Sequence, residues 1–372
     1  MISSYYFKGF PPEQWELEET LLSNINLFVG ASGSGKTRFL NTLCNLSEFV
    51  SKGEPFRPGY WRITAITNEH EYRWEFQCGA NAQGSNEIIR EVLEQRRSGS
   101  QEDFEILIKR TSEAFSFHGN ALPKLQADKP GVTLLKEEEV IKPFYEIFTR
   151  VHRRKFQEEG LIAAVSLSQV TQEQVSSIKS HGMSAMWKQD PPLSVKMFLL
   201  KEHFSDLYQI SINAFKQVFT SIIDCDVKWS KEFPAGGQFP LLAIKEKGVD
   251  GWVPLPDLSS GMQKVLLIIS DIISLPKGSI YIIDEYENSL GVNAIDFLPQ
   301  FLLDHGDGIQ FLVTTHHPYL INSMPMKSWK VFHRTGSRVM IKDGAEFEQR
   351  YGKSKQQAFI QLMNDPFYSG IA

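Results

Sequence analysis

The sequence predicts an α/β fold, with one lobe built on a mixed sheet and divided in the chain by a second, mostly helical lobe. Three observations predict it. An apolar run at about 25–29 leads into the glycine-rich segment GASGSGKT at 30–37. After it comes RFLNTLCNL, whose Phe39, Leu40, Leu43 and Leu46 recur at helical spacing. Far downstream, IYII at 280–283 runs into the paired acids Asp284 and Glu285, as a strand buried on both faces does when it ends at a sheet edge. Between these, from about 134 to 233, apolar residues recur at three and four, as in LLKEEEVIKPFYEIFTRVHRRKF and PPLSVKMFLLKEHFSDLYQISINAFKQVFTSIIDC.

In chain order, residues 1–29 read as strands, with Leu17, Leu21, Leu22, Ile25, Leu27, Phe28 and Val29 leading to the last of them. YWRITAITNEHEYRWEFQC at 60–78 alternates in two runs broken at Thr67–His70, which predicts an antiparallel hairpin. EIIREVLEQRR reads as a helix, and DFEILIKRTSEAFSFHGN as strand pieces turning at Gly119 and Asn120. The stretch 233–257 is rich in Gly and Pro, and its LLAIKEK and WVPLP return the chain to a sheet. LSSGMQK at 258–264 opens a helix. A helix near 293–304, the strand IQFLVTT, the segment HHPYLIN, a strand pair at about 328–342 and the helical KSKQQAFIQLMN follow. The expected domains are 1–80 and 235–345 as two parts of one lobe, 81–234 as a mostly helical insertion, and 346–372 as a helical tail. No repeat, low-complexity tract or heptad run interrupts this pattern.

The composition agrees with a folded protein of more than one small domain: 372 residues, 42% hydrophobic and 12% aromatic. A net charge of −5 means that any nucleic-acid contact must come from a local patch. Cys44, Cys78 and Cys225 form no paired motif, which predicts reduced, buried thiols. MISSYYFKGFPP lacks the features of a signal peptide, and Asp271 interrupts VLLIISDIISL, the most apolar run. The expectation is a cytoplasmic protein with no membrane partner.

The chemistry is concentrated in the two motifs. Gly30, Gly33 and Gly35 permit backbone conformations and close approach that side chains would block. The loop they make with Ala31, Ser32 and Ser34 turns its amides, and the start of the next helix, toward an anionic phosphate. In the G-x-x-x-x-G-K-[ST] pattern, Lys36 reaches the β- and γ-phosphates of ATP and the Thr37 hydroxyl lies on Mg²⁺; the binding segment runs on to Arg38. Asp284 would hold Mg²⁺ through water, and Glu285 would polarise an attacking water as general base. For either acid alone a solvated strand end is the simpler reading; the glycine-rich loop favours the chemical one. Ser259, Ser260 and the Gly261 amide form either an anion-binding turn or an ordinary serine N-cap.

The order of these motifs resembles that of the ATP-binding-cassette (ABC) ATPases: P-loop, long insertion, LSxG turn, apolar run ending in Asp-Glu, strand ending in TTH. The resemblance covers both ends of the chain. It implies an ABC-type P-loop ATPase lobe that converts ATP and water to ADP and phosphate with Mg²⁺. It also implies a head-to-tail dimer, or a higher oligomer, with ATP held between subunits. Ser259, Ser260 and Gly261 would then act on the partner's ATP, Glu285 as base, the segment ENSLG at 287–291 as D-loop, and His316 as switch histidine, with His317 as the competing assignment. The signature reads SSGMQ where the family has SGGQ, so Ser260 replaces a glycine. For the γ-phosphate-sensing glutamine the candidates are Gln77 and Gln169.

Within that superfamily the insertion is longer than in a transporter subunit and lacks the heptads of SMC-type proteins with long coiled coils. DEYENSLG followed by TTHHPYLIN is similar to the OLD-like ATPases, among them those of the anti-phage modules Septu, PARIS and retrons, although Gly291 stands where many carry His. Many of these carry a fused Toprim nuclease, and no acid cluster after His316 resembles one. The resemblance therefore implies a sensor or regulator in a defence module, controlling a separate effector, a nuclease, through ATP-dependent dimerisation. The alternatives are a repair-type ATPase that clamps DNA, and a nucleotide-bound scaffold. HRRK at 152–155, on an expected helix, reads either as a solvated face or as a contact for nucleic acid or an acidic partner. Phe198, Phe204, Tyr208, Phe215 and Phe219 read as core or as oligomer interface.

Overall fold

A computed structural model of the protein describes residues 1–54, 56–80, 86–123, 125–154, 183, 186–187, 191–230, 239–351 and 355–369. The chain begins with strands β1 (Ile2–Gly9), β2 (Glu16–Leu21) and β3 (Ile25–Val29), and helix α1 (Lys36–Lys52). Next come β4 (Gly59–Ile66), β5 (His70–Ala80), β6 (Asn86–Arg97), β7 (Glu105–Thr111), β8 (Phe115–Phe117) and β9 (Asn120–Leu122). Helices α2 (Gly131–Leu134) and α3 (Lys142–Thr149) lead to β10 (Val151–Arg154). Then follow α4 (Leu193–His203), α5 (Ser205–Val218), β11 (Ile222–Ser230), β12 (Phe239–Glu246), β13 (Val253–Pro254) and α6 (Ser260–Ser274). The chain ends with β14 (Ile280–Ile283), α7 (Val292–His305), β15 (Gln310–Thr314), α8 (Pro318–Ser323), β16 (Trp329–Thr335), β17 (Arg338–Asp343), α9 (Gly344–Tyr351), α10 (Lys355–Asn364) and α11 (Pro366–Ser369).

These elements form two units. The first comprises residues 1–154, 278–285 and 310–372, and the second 155–277 and 286–309. The first unit is organised by one mixed sheet, ordered β10-β14-β15-β3-β16-β17-β2-β1-β4-β5-β6-β7-β8-β9. At one end β10, β14, β15, β3 and β16 run parallel; from β2 to β9 every neighbour is antiparallel. In register, Ile283 lies opposite Val313, and Val313 opposite Leu27. The ends of β14, β15 and β3 therefore reach the same edge, where ligands bind in open α/β sheets. Helix α1 buries Phe39, Leu40, Leu43 and Leu46, the helical stripe of the sequence, with Phe39 against Phe28 and Phe332 of the sheet. Farther along, Trp61 and Phe76 stack with ring centroids 4.6 Å apart across the β4–β5 hairpin.

Two sequence expectations fail at the level of elements. EIIREVLEQRR is strand β6, paired with β5 and β7, and not a helix. Its buried residues are Ile88, Glu91, Leu93 and Gln95; the last three alternate, but two of those three are polar, so the period of two is hidden. Glu91 is buried because it accepts hydrogen bonds from the Trp74 indole (3.0 Å) and the Gly131 amide (2.6 Å). Burial pushes its carboxyl above the usual range, and the Gly131 amide partly offsets this. The second failure is HRRK. Its first three residues belong to β10, an edge strand parallel to β14, and not to a helix; Lys155 lies outside the described residues.

The second unit combines α4, α5, α6 and α7 with a small antiparallel sheet, β11-β12-β13. Tyr208 and Phe215 of α5 are buried, while Phe198, Phe204 and Phe219 are half-buried. Cys225 is buried, which pushes its thiol up to about 12, as an unreactive structural cysteine requires. Asp271, the acid inside the apolar run of α6, is buried and ion-paired with Lys196 of α4, whose ammonium also lies 3.9 Å from the Trp187 ring centroid. Among the described residues no helix is long and apolar enough to cross a membrane. Removing one member of a buried ion pair leaves a poorly compensated charge, so Lys196→Met is expected to lower the unfolding free energy by about 3–5 kcal/mol. The Lys196→Met/Asp271→Leu pair should recover much of that loss in urea denaturation.

Candidate functional site

The glycine-rich loop leaves the end of β3 and closes on the start of α1. A Cβ at Gly30 would stand 2.6 Å from the Phe332 carbonyl oxygen, and one at Gly35 2.7 Å from a Val339 methyl. Gly33 and Gly35 have φ of 78° and 106°, in the region that disfavours a side chain. Lys36 is folded into the loop, its Nζ donating to the carbonyls of Gly30 (2.7 Å) and Ala31 (3.0 Å) and reaching Ser34 Oγ at 3.4 Å. Ala31, Ser32, Gly33, Thr37 and Arg38 are exposed. No acidic side chain stands in the first turn of α1, which leaves the helix start electrostatically open to an anion. Arg38 borders a cavity of about 420 Å³ lined also by Trp15, Asn41, Phe49 and Trp61, and its guanidinium lies 5.5 Å from the Trp15 ring centroid.

Across the same edge, Asp284 follows β14. Thr314 Oγ1 donates to Asp284 Oδ1 at 2.7 Å and accepts from the Glu285 amide at 2.7 Å. The other carboxylate oxygen, Oδ2, accepts from Arg153 Nη2 at 2.7 Å. Arg153 Nη1 in turn donates to Asn41 Oδ1 at 2.5 Å. Asn41 stands four residues beyond Thr37 on α1, so the two share a helix face. The network thus joins the start of α1 to Asp284 and Glu285. Glu285 is exposed, with φ of 50°, an uncommon conformation for a non-glycine residue and one that concentrates at functional sites.

His316 is exposed just after β15. His317 caps α8, its amide donating to Thr315 Oγ1 at 3.0 Å; its ring is half-buried, with Nδ1 enclosed and unbonded. Gln77 lies on β5 between Tyr60 and Arg90, in the antiparallel part of the sheet and far across it from β14, so it is not placed to sense a phosphate at this edge. Gln169 lies outside the described residues. The contributions of Thr314, Arg153 and Asn41 were not expected from the sequence. The TTH run gave a signal for the first; nothing in the sequence places β10 beside β14.

The turn at 259–261 belongs to the second unit. Ser259 is the N-cap of α6, its Oγ accepting from the Met262 amide at 3.3 Å. Ser260 is half-buried at the first helical position. Gly261 is the glycine that packing demands, because a Cβ there would collide with the carbonyl oxygen of Ser289, itself at φ 64°. Lys264 Nζ donates to the Asn288 carbonyl at 2.8 Å. The turn at 259–261 and the segment 287–291 are therefore packed as one piece.

The donor types suit a nucleotide and a hard divalent cation. Among the described residues no cluster of three or more His, Cys, Asp or Glu could hold a metal alone. A cation between the Thr37 hydroxyl and the Asp284 carboxylate would complete its shell with phosphate and water oxygens, as Mg²⁺ does.

A family model described as "AAA domain, putative AbiEii toxin, Type IV TA system" matches residues 25–322. No curated protein matches the chain. Among solved structures, the fold is similar to that of the Smc head in "Crystal structure of the SmcHead bound to the C-winged helix domain of ScpA", with a TM-score of 0.51 and 11% identity over 92% of this chain and 97% of that one. The SMC head domain from Thermotoga maritima gives a TM-score of 0.44 and 13% identity over 92% and 98%. The Smc head domain with an extended coiled coil bound to the C-terminal domain of ScpA, derived from Pyrococcus furiosus, gives 0.45 and 10% over 94% and 98%. The mixed α/β fold is that of an SMC-head, ABC-type P-loop ATPase domain. Because Gly261 packs on Ser289, Gly261→Ala is expected to cost about 1–3 kcal/mol of stability by forced displacement. Ser260→Gly should stay within about 1 kcal/mol, the usual penalty for glycine in a helix; thermal unfolding of both variants separates the two positions.

Proposed function

The chain belongs to the AbiEii-like AAA-domain family matched over residues 25–322, and from that premise we propose that it binds and hydrolyses ATP as a head-to-tail dimer. The observation that carries the reading is the Thr314-centred network, which fixes Asp284 and the Glu285 backbone at the sheet edge from which the glycine-rich loop also springs. In this reading the loop amides and Lys36 bind the phosphates, and Thr37 and Asp284 hold Mg²⁺. Bound there, Mg²⁺ would neutralise charge on the β- and γ-phosphates. Glu285 accepts the proton of the water that attacks the γ-phosphorus, and His316 donates a hydrogen bond to the γ-phosphate. Ser259, Ser260 and Gly261 serve the nucleotide bound by the partner subunit. What supports this last role is the capped helix start, packed against 287–291.

The biological role we propose is regulation of a toxic effector in a defence module, the effector being a separate protein, a nuclease. DEYENSLG and TTHHPYLIN support it by resemblance to OLD-like ATPases, and so does the toxin–antitoxin description of the family. The DNA-clamp alternative is weakened by the placement of Arg153: the central residue of the basic cluster is engaged with Asp284.

Lys36→Ala is expected to abolish ATP binding in calorimetry. Glu285→Gln should keep binding, lower phosphate release by about 10²–10⁴-fold, and accumulate an ATP-bound dimer in light scattering. Undiminished phosphate release by the Glu285→Gln protein would sink the assignment of the base. Degradation of DNA or tRNA by the purified protein alone, lost in Lys36→Ala, would refute the separate effector.

A further inference from the structure

Both oxygens of Asp284 are already engaged. Oδ1 accepts from Thr314, and Oδ2 is ion-paired with Arg153 at 2.7 Å, with side-chain exposures of only 14% for Arg153 and 16% for Asp284. The guanidinium is held from two sides. Strand β10 sets its height, with Arg153 opposite Ile282 in the parallel ladder, and Asn41 on α1 accepts its second amino group. A planar fork bonded to a carboxylate and an amide oxygen has a defined orientation that a lysine could not reproduce. The cation therefore spans from the end of β14 to the helix face that carries Thr37, which is where Thr37 and Asp284 would share a divalent ion.

We propose that Arg153 is the resident counter-ion of Asp284, and that a divalent cation must take its place there. The pair is a cation-exchange latch that sets the Mg²⁺ requirement of the site. The inference rests on the reading of Asp284 as a Mg²⁺ ligand, but it concerns the protein before nucleotide binds. Two positive groups cannot share one half-buried carboxylate without mutual repulsion, so the latch raises the Mg²⁺ concentration at which Asp284 is claimed. Arg153 is a positioning residue: it acts on the site through Asp284.

The test uses the full chain without nucleotide, so it does not depend on ATP hydrolysis. Mn²⁺ binding is followed by electron paramagnetic resonance, and the thermal midpoint is titrated with MgCl₂ at constant ionic strength. Arg153→Gln is expected to bind Mn²⁺ roughly tenfold more tightly than the parent, and its midpoint should rise at correspondingly lower Mg²⁺. Asn41→Ala, which loosens the guanidinium and leaves both charges in place, should shift the response in the same direction by less; it also serves if Arg153→Gln does not fold. Adding Asp284→Asn to either variant should erase the response and locate it at this carboxylate. Equal Mn²⁺ affinity in parent and variants, including no binding by any, overturns the proposal, as does weaker binding in Arg153→Gln. Failure of the ATPase reading would show separately, as ATP binding unaffected by Lys36→Ala.

Discussion

Thr314 reaches Asp284 only because β14 and β15 are parallel neighbours with Ile283 opposite Val313, so the residue after one strand meets the last residue of the other. The same register continues to β3 and delivers Gly30 to that edge. One alignment of backbone ladders therefore places the glycine-rich loop, Asp284 and Glu285, and the segment at His316 at one edge of the sheet. A slip by one residue would turn Asp284 to the opposite face. Residues 280–283 and 310–314 are buried throughout, which specifies the strands but not their register. The side chains that end them supply the missing specification, since only one alignment lets the Thr314 hydroxyl bond both the Asp284 carboxylate and the Glu285 amide.

The parts of the site that were legible in the sequence are those whose chemistry is local. GASGSGKT declares its turn by glycines that the structure needs for φ and for close approach to β16 and β17. IYIIDE declares a buried strand and its terminus. What was hidden depends on partners distant in the chain. Glu91 looks like a solvated helix residue until Trp74 and Gly131 are seen to satisfy it, and with it goes the identity of β6. HRRK looks like a charged helix face because arginine suits a helix surface. It becomes an edge strand through pairing with β14, from which its sequence separation is large, and Arg153 finds an acid there. Gln77 sits in an antiparallel ladder, paired with Tyr60 and Arg90, which removes it from the edge that β14, β15 and β3 share.

The second unit poses the converse problem: an apolar helix that carries charges it does not expose. Helix α6 is hydrophobic almost all round, yet it includes Lys264 and Asp271, both buried. Each has a specific partner, the Asn288 carbonyl for the lysine and Lys196 for the aspartate. Buried charges of this kind add little net stability compared with apolar residues of similar size, but they penalise any other rotation of the helix. A helix that could otherwise slide or turn on an apolar surface is pinned at both ends, and the turn at 259–261 inherits that orientation.

The departure at Ser260 is then understandable from packing. The turn at 259–261 needs one position without a side chain, where the segment 287–291 crosses the helix start. In this chain that position is 261, because the Ser289 carbonyl lies on it. Ser260, one residue earlier, is half-buried with room for its hydroxymethyl group, so serine there leaves the cap made by Ser259 intact. Ser289 meets Gly261 with φ of 64°, and Asn288 is fixed by Lys264. The constraint is therefore mutual: the shape of 287–291 determines which residue of the turn must be glycine, and the turn holds 287–291 in that shape.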